Sequence, residues 1–215
     1  MKIKEITNYL EAVAPPALQE SYDNAGLIAG DPENDISSAI ISIDVTEEVI
    51  DEAVENGAGL IISHHPVIFS GLKKLTGGNY VERTIIKAIK NDIAVFAAHT
   101  NLDAVTGGVN SKICEKLGLR NCRVLQPSSG KLKKLVTFIP HEAAVTVKKA
   151  VFRAGAGHIG NYDYCGYSLE GKGTFRGSEE SDPFVGEKGE IHTEEEIRFE
   201  TIFPSWLQGK VINAL

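Results

Sequence analysis

Two adjacent histidines, His64 and His65, and one aspartate, Asp103, are residue types that together suit a divalent cation. Imidazole nitrogens plus a carboxylate form a mixed donor set that serves Zn, Mn or Fe alike, so the expected chemistry is metal binding with the ion left open. The placement points the same way. His64-His65-Pro66 follows directly on the apolar run Leu60-Ile61-Ile62-Ser63, and His99-Thr100-Asn101-Leu102-Asp103 follows Ala94-Val95-Phe96-Ala97-Ala98. In open parallel sheets, ligands bind beyond the carboxyl ends of the strands. Adjacent residues within a strand point to opposite faces, but past its end the alternation relaxes. Pro66 sets the local turn, so both imidazoles can converge on one cleft.

Other polar residues near these have two readings each. His99 either orients Asp103 or another ligand through a hydrogen bond, or simply caps a strand end. Asp23 and Asn24, in Asp23-Asn24-Ala25-Gly26, either make an Asx turn or stand at the rim of the cleft. Two histidines and one aspartate are too few for a two-metal site. Further ligands must then come from later sequence, water or another subunit.

The elements that position these residues follow from periodicity. Ile3, Ile6, Leu10 and Val13 predict a first helix that stops at Pro15-Pro16. Ser38–Asp44 reads as a strand, and Thr46 caps a helix that ends at Gly57. The buried strand 59–63 precedes a helix over about 81–91, the strand 94–98 and a helix over 109–117 that ends at Gly118. Strands alternating with helices predict a parallel sheet covered on both faces. The turn-rich stretch Gln126–Lys131 then marks a domain boundary. Beyond it come a strand (133–139), a helix (142–154), a glycine- and tyrosine-rich segment (155–177), a strand (195–203) and the start of a helix (206–215). That β-α-β-β-α order suits a split-βαβ sandwich lacking its second full helix and last strand.

Composition sets limits on function. The chain has 215 residues and a formal net charge of -7, which argues against a binder of nucleic-acid backbones. Three cysteines without C-x-x-C spacing oppose a disulfide framework or a zinc ribbon. No apolar run reaches the ~20 residues of a membrane span, and the N-terminus lacks a signal peptide's pattern. The expectation is a cytoplasmic protein without a membrane partner.

Four segments carry a resemblance to a known family. They are SYDNAGLIAG (21–30), ISHHPVIFSGLKKLT (62–76), AAHTNLDAVTGGVN (97–110) and GHIGNYDYCGYSLEGKGTFRG (157–177). Their order and spread resemble the Nif-three-like proteins, also called dinuclear metal centre proteins or GTP cyclohydrolase 1 type 2 homologues. The resemblance implies an α/β fold. Residues 1–125 would be the N-terminal half of a three-layer, parallel-sheet metal-binding domain. Residues 126–215 would be an incomplete α+β, PII-like or CutA-like insert domain. It further implies two divalent ions per complete site (Zn, Mn or Fe), with His64, His65 and Asp103 as the N-terminal ligands, and a toroidal homohexamer.

Family members resume the first domain after the insert, in a segment whose histidine and glutamate complete the site. Leu215 precedes any such segment, so the resemblance implies a fragment or a natural truncation. The activity it implies is metal-dependent hydrolysis of GTP or of another nucleotide or phosphorylated metabolite. The alternatives are a non-catalytic metal-binding assembly or regulatory protein, and an inactive fragment.

Overall fold

Apolar residues at three- and four-residue spacing give α1 (Ile3–Val13) one inward stripe, with Ile3 buried in the core and Ile6 and Leu10 partly buried against it. A computed structural model describes residues 1–183 and 185–215 of the chain. These form two units, Met1–Arg123 and Val124–Leu215, each with its own core.

The first unit is built on a four-stranded sheet. Its strands are β1 (Gly26–Ala29), β2 (Ala39–Ser42), β3 (Leu60–Ser63) and β4 (Ala94–Ala97), in the spatial order β1-β4-β3-β2. β2, β3 and β4 are parallel, with Ser42 opposite Ser63 and Ser63 opposite Ala97. The expectation of a wholly parallel sheet is corrected at β1, which runs antiparallel to β4 and pairs Gly26 with Ala97. The sheet is therefore mixed. Gly30, just past β1, has a φ of +105°, and a Cβ there would fall 2.5 Å from the Cβ of Ala94. Glycine is what lets the chain leave this edge.

Period-two alternation divides β3 and β4 between two cores. Ile61 and Val95 face α2 (Glu47–Glu55) and α3 (Tyr80–Lys90), through Ile50, Ala53, Ile85 and Ala88. Leu60, Ala94 and Phe96 face α1. With both faces covered, these strands carry near-continuous apolar sequence. Thr46 caps α2 by accepting from the amide of Val49 at 3.3 Å. The end of α2 closes through the amide of Ala58 to the carbonyl of Ala53, with Gly57 at φ +62°.

Asn79 caps α3, and Glu82 works in reverse from the third helical position. Its buried carboxylate accepts from the Thr76 and Gly78 amides at 2.9 Å each, the Thr76 hydroxyl at 3.0 Å and the Asn79 side chain at 2.9 Å. The backbone amides of Gly78 and Thr76 hold its pKa at about 2, against an ordinary 4.5. A depressed carboxylate stabilises the fold above the unfolded value, and that contribution is lost as pH falls from 4.5 towards 2. Glu82→Gln is expected to lower the melting temperature at pH 7 and to leave it close to that of the parent near pH 2. Thermal unfolding monitored across that range checks it.

The second unit carries β5 (Leu132–Pro140), β6 (Gly166–Arg176) and β7 (Ile191–Pro204), all antiparallel, in the order β5-β7-β6. Placing the third strand between the first two is the split-βαβ arrangement. β6 lies inside the glycine- and tyrosine-rich segment, and β7 begins at Ile191, four residues before the expected start. In the first unit α4 (Thr100–Ala104) and α5 (Val109–Lys116) follow β4, and in the second α6 (Ala144–Arg153) packs Ala144 and Val151 on Leu135, Ile139, Phe199 and Phe203.

Candidate metal centre

Parallel pairing sets the first two imidazoles. The amides of His64 and His65 continue the ladder beyond β3, donating to the carbonyls of Ser42 at 3.2 Å and Ile43 at 2.9 Å. His99 leaves the adjacent end of β4, immediately before α4 (Thr100–Ala104). One ring nitrogen from each of His64, His65 and His99 lies within 4.8 Å of the others. The ring centroids are 4.9, 5.2 and 5.6 Å apart.

Each ring is oriented by a partner that can only accept. His64 Nδ1 lies 2.9 Å from the Ala98 carbonyl, His65 Nδ1 lies 2.8 Å from Asp44 Oδ1, and His99 Nδ1 lies 2.8 Å from Asp23 Oδ1. A carbonyl or an ionised carboxylate fixes the proton on Nδ1, so in the neutral ring Nε2 carries the lone pair. Donating one ring N–H to a carbonyl or carboxylate is how metal-ligating histidines are held. The donor set therefore fits a first-row divalent cation.

Asp103 sits in the first turn of α4, with its Oδ1 4.0 Å from His64 Nε2. That separation is too long for a hydrogen bond, so the free nitrogen of His64 is not tied up by the carboxylate. Asp103 faces the cluster without belonging to the tight group of three nitrogens.

The antiparallel β1 explains how Asp23 reaches the site. Because Gly26 pairs with Ala97, the residues before β1 lie against those after β4. The Asp23 side chain is fully buried there and accepts from His99 Nδ1, from the Thr100 amide at 3.0 Å, from the Thr100 hydroxyl and from the Asn24 amide at 2.7 Å. Burial alone would raise its pKa. The Thr100 and His99 side chains and the Asn24 and Thr100 amides outweigh burial and hold the carboxyl below its ordinary range. The Asn24 amide donates to the adjacent Asp23 side chain, and Asn24 Nδ2 donates to the Ile68 carbonyl at 2.7 Å, joining this segment to the loop after His65.

Asp44, which orients His65, was not singled out in the sequence. Its signal was there, since it lies just past the carboxyl end of β2, where the same strand-end reasoning applies. The pair is largely exposed, with side-chain exposures of 51% for His65 and 65% for Asp44. Asp44→Asn is therefore expected to weaken metal binding by about tenfold, the low end for such partners, and to shift stability by less than about 0.5 kcal/mol. Competitive titration against a metallochromic dye, alongside urea unfolding, checks both.

Comparison with known proteins finds related sequences and structures. Residues 1–185 match the family model described as Duf34/NIF3 (NGG1p interacting factor 3). A Bacillus subtilis protein named GTP cyclohydrolase 1 type 2 homolog is 43% identical over 213 residues, covering 99% of this chain and 57% of the relative. A Halalkalibacterium halodurans protein of the same name is 42% identical over 211 residues, covering 98% and 57%. Among solved structures, a Bacillus cereus protein related to NIF3 matches with a TM-score of 0.84 at 45% identity, over 100% of this chain and 57% of that one. A Staphylococcus aureus structure matches with a TM-score of 0.68 at 30% identity, over 100% and 55%. The chain thus spans a little over half the length of these relatives. Among the described residues, no helix is long and apolar enough to cross a membrane.

Proposed function

The chain belongs to the Duf34/NIF3 family, and on that premise we propose that it holds divalent metal ions for hydrolysis of a nucleotide or another phosphorylated small molecule. The observation that carries this reading is the set of three imidazoles at two adjacent strand ends, each pinned through Nδ1. His64, His65 and His99 would hold metal through Nε2, and Asp103 would add a carboxylate. A bound divalent cation polarises the substrate and lowers the pKa of water.

The chain's own residues do the positioning. Asp23, Asp44 and the Ala98 carbonyl keep the three rings turned towards one another. Asp103, partly exposed with its Oδ1 4.0 Å from His64 Nε2, stands where its carboxylate would join the imidazoles on the ion. GTP is a candidate substrate from the relatives' name alone.

Two finer readings belong to the same proposal. Val124–Leu215 would be a PII-like or CutA-like domain, supported by its β-α-β-β-α order and its split sheet. The protein would assemble as a homo-oligomer, hexameric if it follows the family, which light scattering on the purified chain measures.

Titration with Mn, Zn and Fe(II), followed by a hydrolysis screen over nucleotides and sugar phosphates, tests the function. Metal-dependent turnover that disappears in His64→Ala is expected. Stoichiometric metal without turnover of any substrate would replace the hydrolase with a non-catalytic metal-binding protein.

A further inference from the structure

Two exposed aromatic rings stand beside the histidine cluster, and nothing in the metal-site reading uses them. Phe69 follows His65 by four residues. Pro66 and Val67 between them are buried and Ile68 packs on the core, but the Phe69 side turns outward and the residue is 51% exposed. Its ring stands edge-to-face against His99, with centroids 6.2 Å apart and planes at 81°. Tyr22, immediately before the buried Asp23, is 62% exposed, and its ring lies 6.1 Å from that of Phe69 at 46°.

Isolated exposed apolar residues are ordinary on a protein surface. These two differ in that they touch each other and one touches a histidine of the cluster. Both segments are also fixed. Asp23 is locked by four hydrogen bonds, and the Asn24 side chain ties its own segment to Ile68, next to Phe69. Ligand sites combine apolar or aromatic walls with a few convergent polar groups. Tyr22, Phe69 and the histidines meet that description.

The geometry points to a stacking platform, on which Phe69 and Tyr22 hold the planar heteroaromatic ring of a free nucleotide-like molecule while its polar end reaches the histidines. Because the rings already lie within the 4.5–7 Å of an aromatic pair, the ligand's ring stacks on their outer surface rather than between them. Every nucleobase offers a π-face, so this contact selects a planar ring rather than one base. The net charge of -7 favours a free nucleotide over a polynucleotide. The assignment deepens the proposed function and rests on it for where the polar end binds; the stacking contact itself needs no metal.

The test compares GMP with ribose 5-phosphate, which keeps the sugar and phosphate and lacks the base. Calorimetric titrations are run on the 215-residue chain with and without Mn, and metal stoichiometry is measured separately. GMP is expected to bind at least tenfold more tightly than ribose 5-phosphate. Phe69→Ala should remove on the order of tenfold of GMP affinity, the scale of one base–aromatic contact. Its metal stoichiometry and its affinity for ribose 5-phosphate should stay unchanged. Tyr22→Phe, which keeps the ring, should retain the affinity for GMP, and Tyr22→Ala should not. Equal binding of the two probes, or full GMP affinity in both alanine variants, would overturn the platform even if metal binds. Tighter binding of a single-stranded oligonucleotide than of GMP would overturn the assignment to a free nucleotide. If no metal binds, the metal reading fails, and the GMP comparison on the metal-free chain still decides the platform.

Discussion

Asp23→Ala is expected to lower metal affinity by about 10- to 100-fold, the usual effect of removing the partner that orients a ligating histidine. It should also cost about 2–3 kcal/mol of stability, because a buried acceptor of several hydrogen bonds is lost. The Asp23 side chain is fully buried, and its removal leaves the Thr100 amide, the Thr100 hydroxyl and His99 Nδ1 without their partner. The ring of His99 would then be free to turn, so its Nε2 would face the cluster for only part of the time. Asp23→Asn separates the two effects. It keeps one carbonyl oxygen for the Thr100 and His99 donors and loses the charge, so affinity should fall more than stability. Metal titration by calorimetry and urea unfolding of both variants provide the two readouts.

Phe96→Ala is expected to destabilise the first unit by about 3–5 kcal/mol, the range for truncating a buried phenylalanine. Phe96 is 1% exposed on β4 and packs in the core shared by Ile3, Leu60 and Ala94. Ile3, Leu60 and Ala94 around it are themselves buried in a close-packed layer, so most of the cavity is expected to persist. His99 lies three residues after Phe96, two residues past the end of β4. Where the variant remains folded, its metal affinity should stay near that of the parent, because the imidazoles are held by strand-end hydrogen bonds and not by Phe96. Denaturant midpoints, with titration on the folded fraction at low temperature, check both halves.

How much of this was legible in the sequence depended on whether a residue's role was local. The helices α1, α2 and α3 announce themselves through apolar spacing, the cap at Thr46 and glycine at position 57. The buried strands β3 and β4 were readable as short apolar runs, and with them the positions of His64, His65 and His99 at their ends. β1 was not readable. Four residues, Gly26–Ala29, behind an Asp-Asn turn carry too little pattern to declare a strand, and only pairing with β4 makes one. Missing β1 left Asp23 without a route to His99, so its role stayed open between turn and cleft.

β6 was hidden for a related reason. Gly166, Gly171 and Gly173 weaken strand propensity, yet pairing with β7 along all eleven residues overrides it. At Gly166 a Cβ would fall 2.6 Å from the ring of Phe199, which is 1% exposed, so a glycine that obscures the strand is also what the buried ring on β7 requires. The pairing of His65 with Asp44 likewise spans 21 residues and depends on the parallel register of β2 and β3.

The central claim is that His64, His65 and His99 together hold a divalent cation. Measuring bound Zn and Mn by plasma emission after equilibrium dialysis, for the parent chain and for His64→Ala, His65→Ala and His99→Ala, tests it most directly. The account predicts stoichiometric metal on the parent and a large loss in each single variant, with circular dichroism showing all four folded. Metal retained at parent stoichiometry and affinity when His99 is removed, or no metal bound by the folded parent, would contradict it.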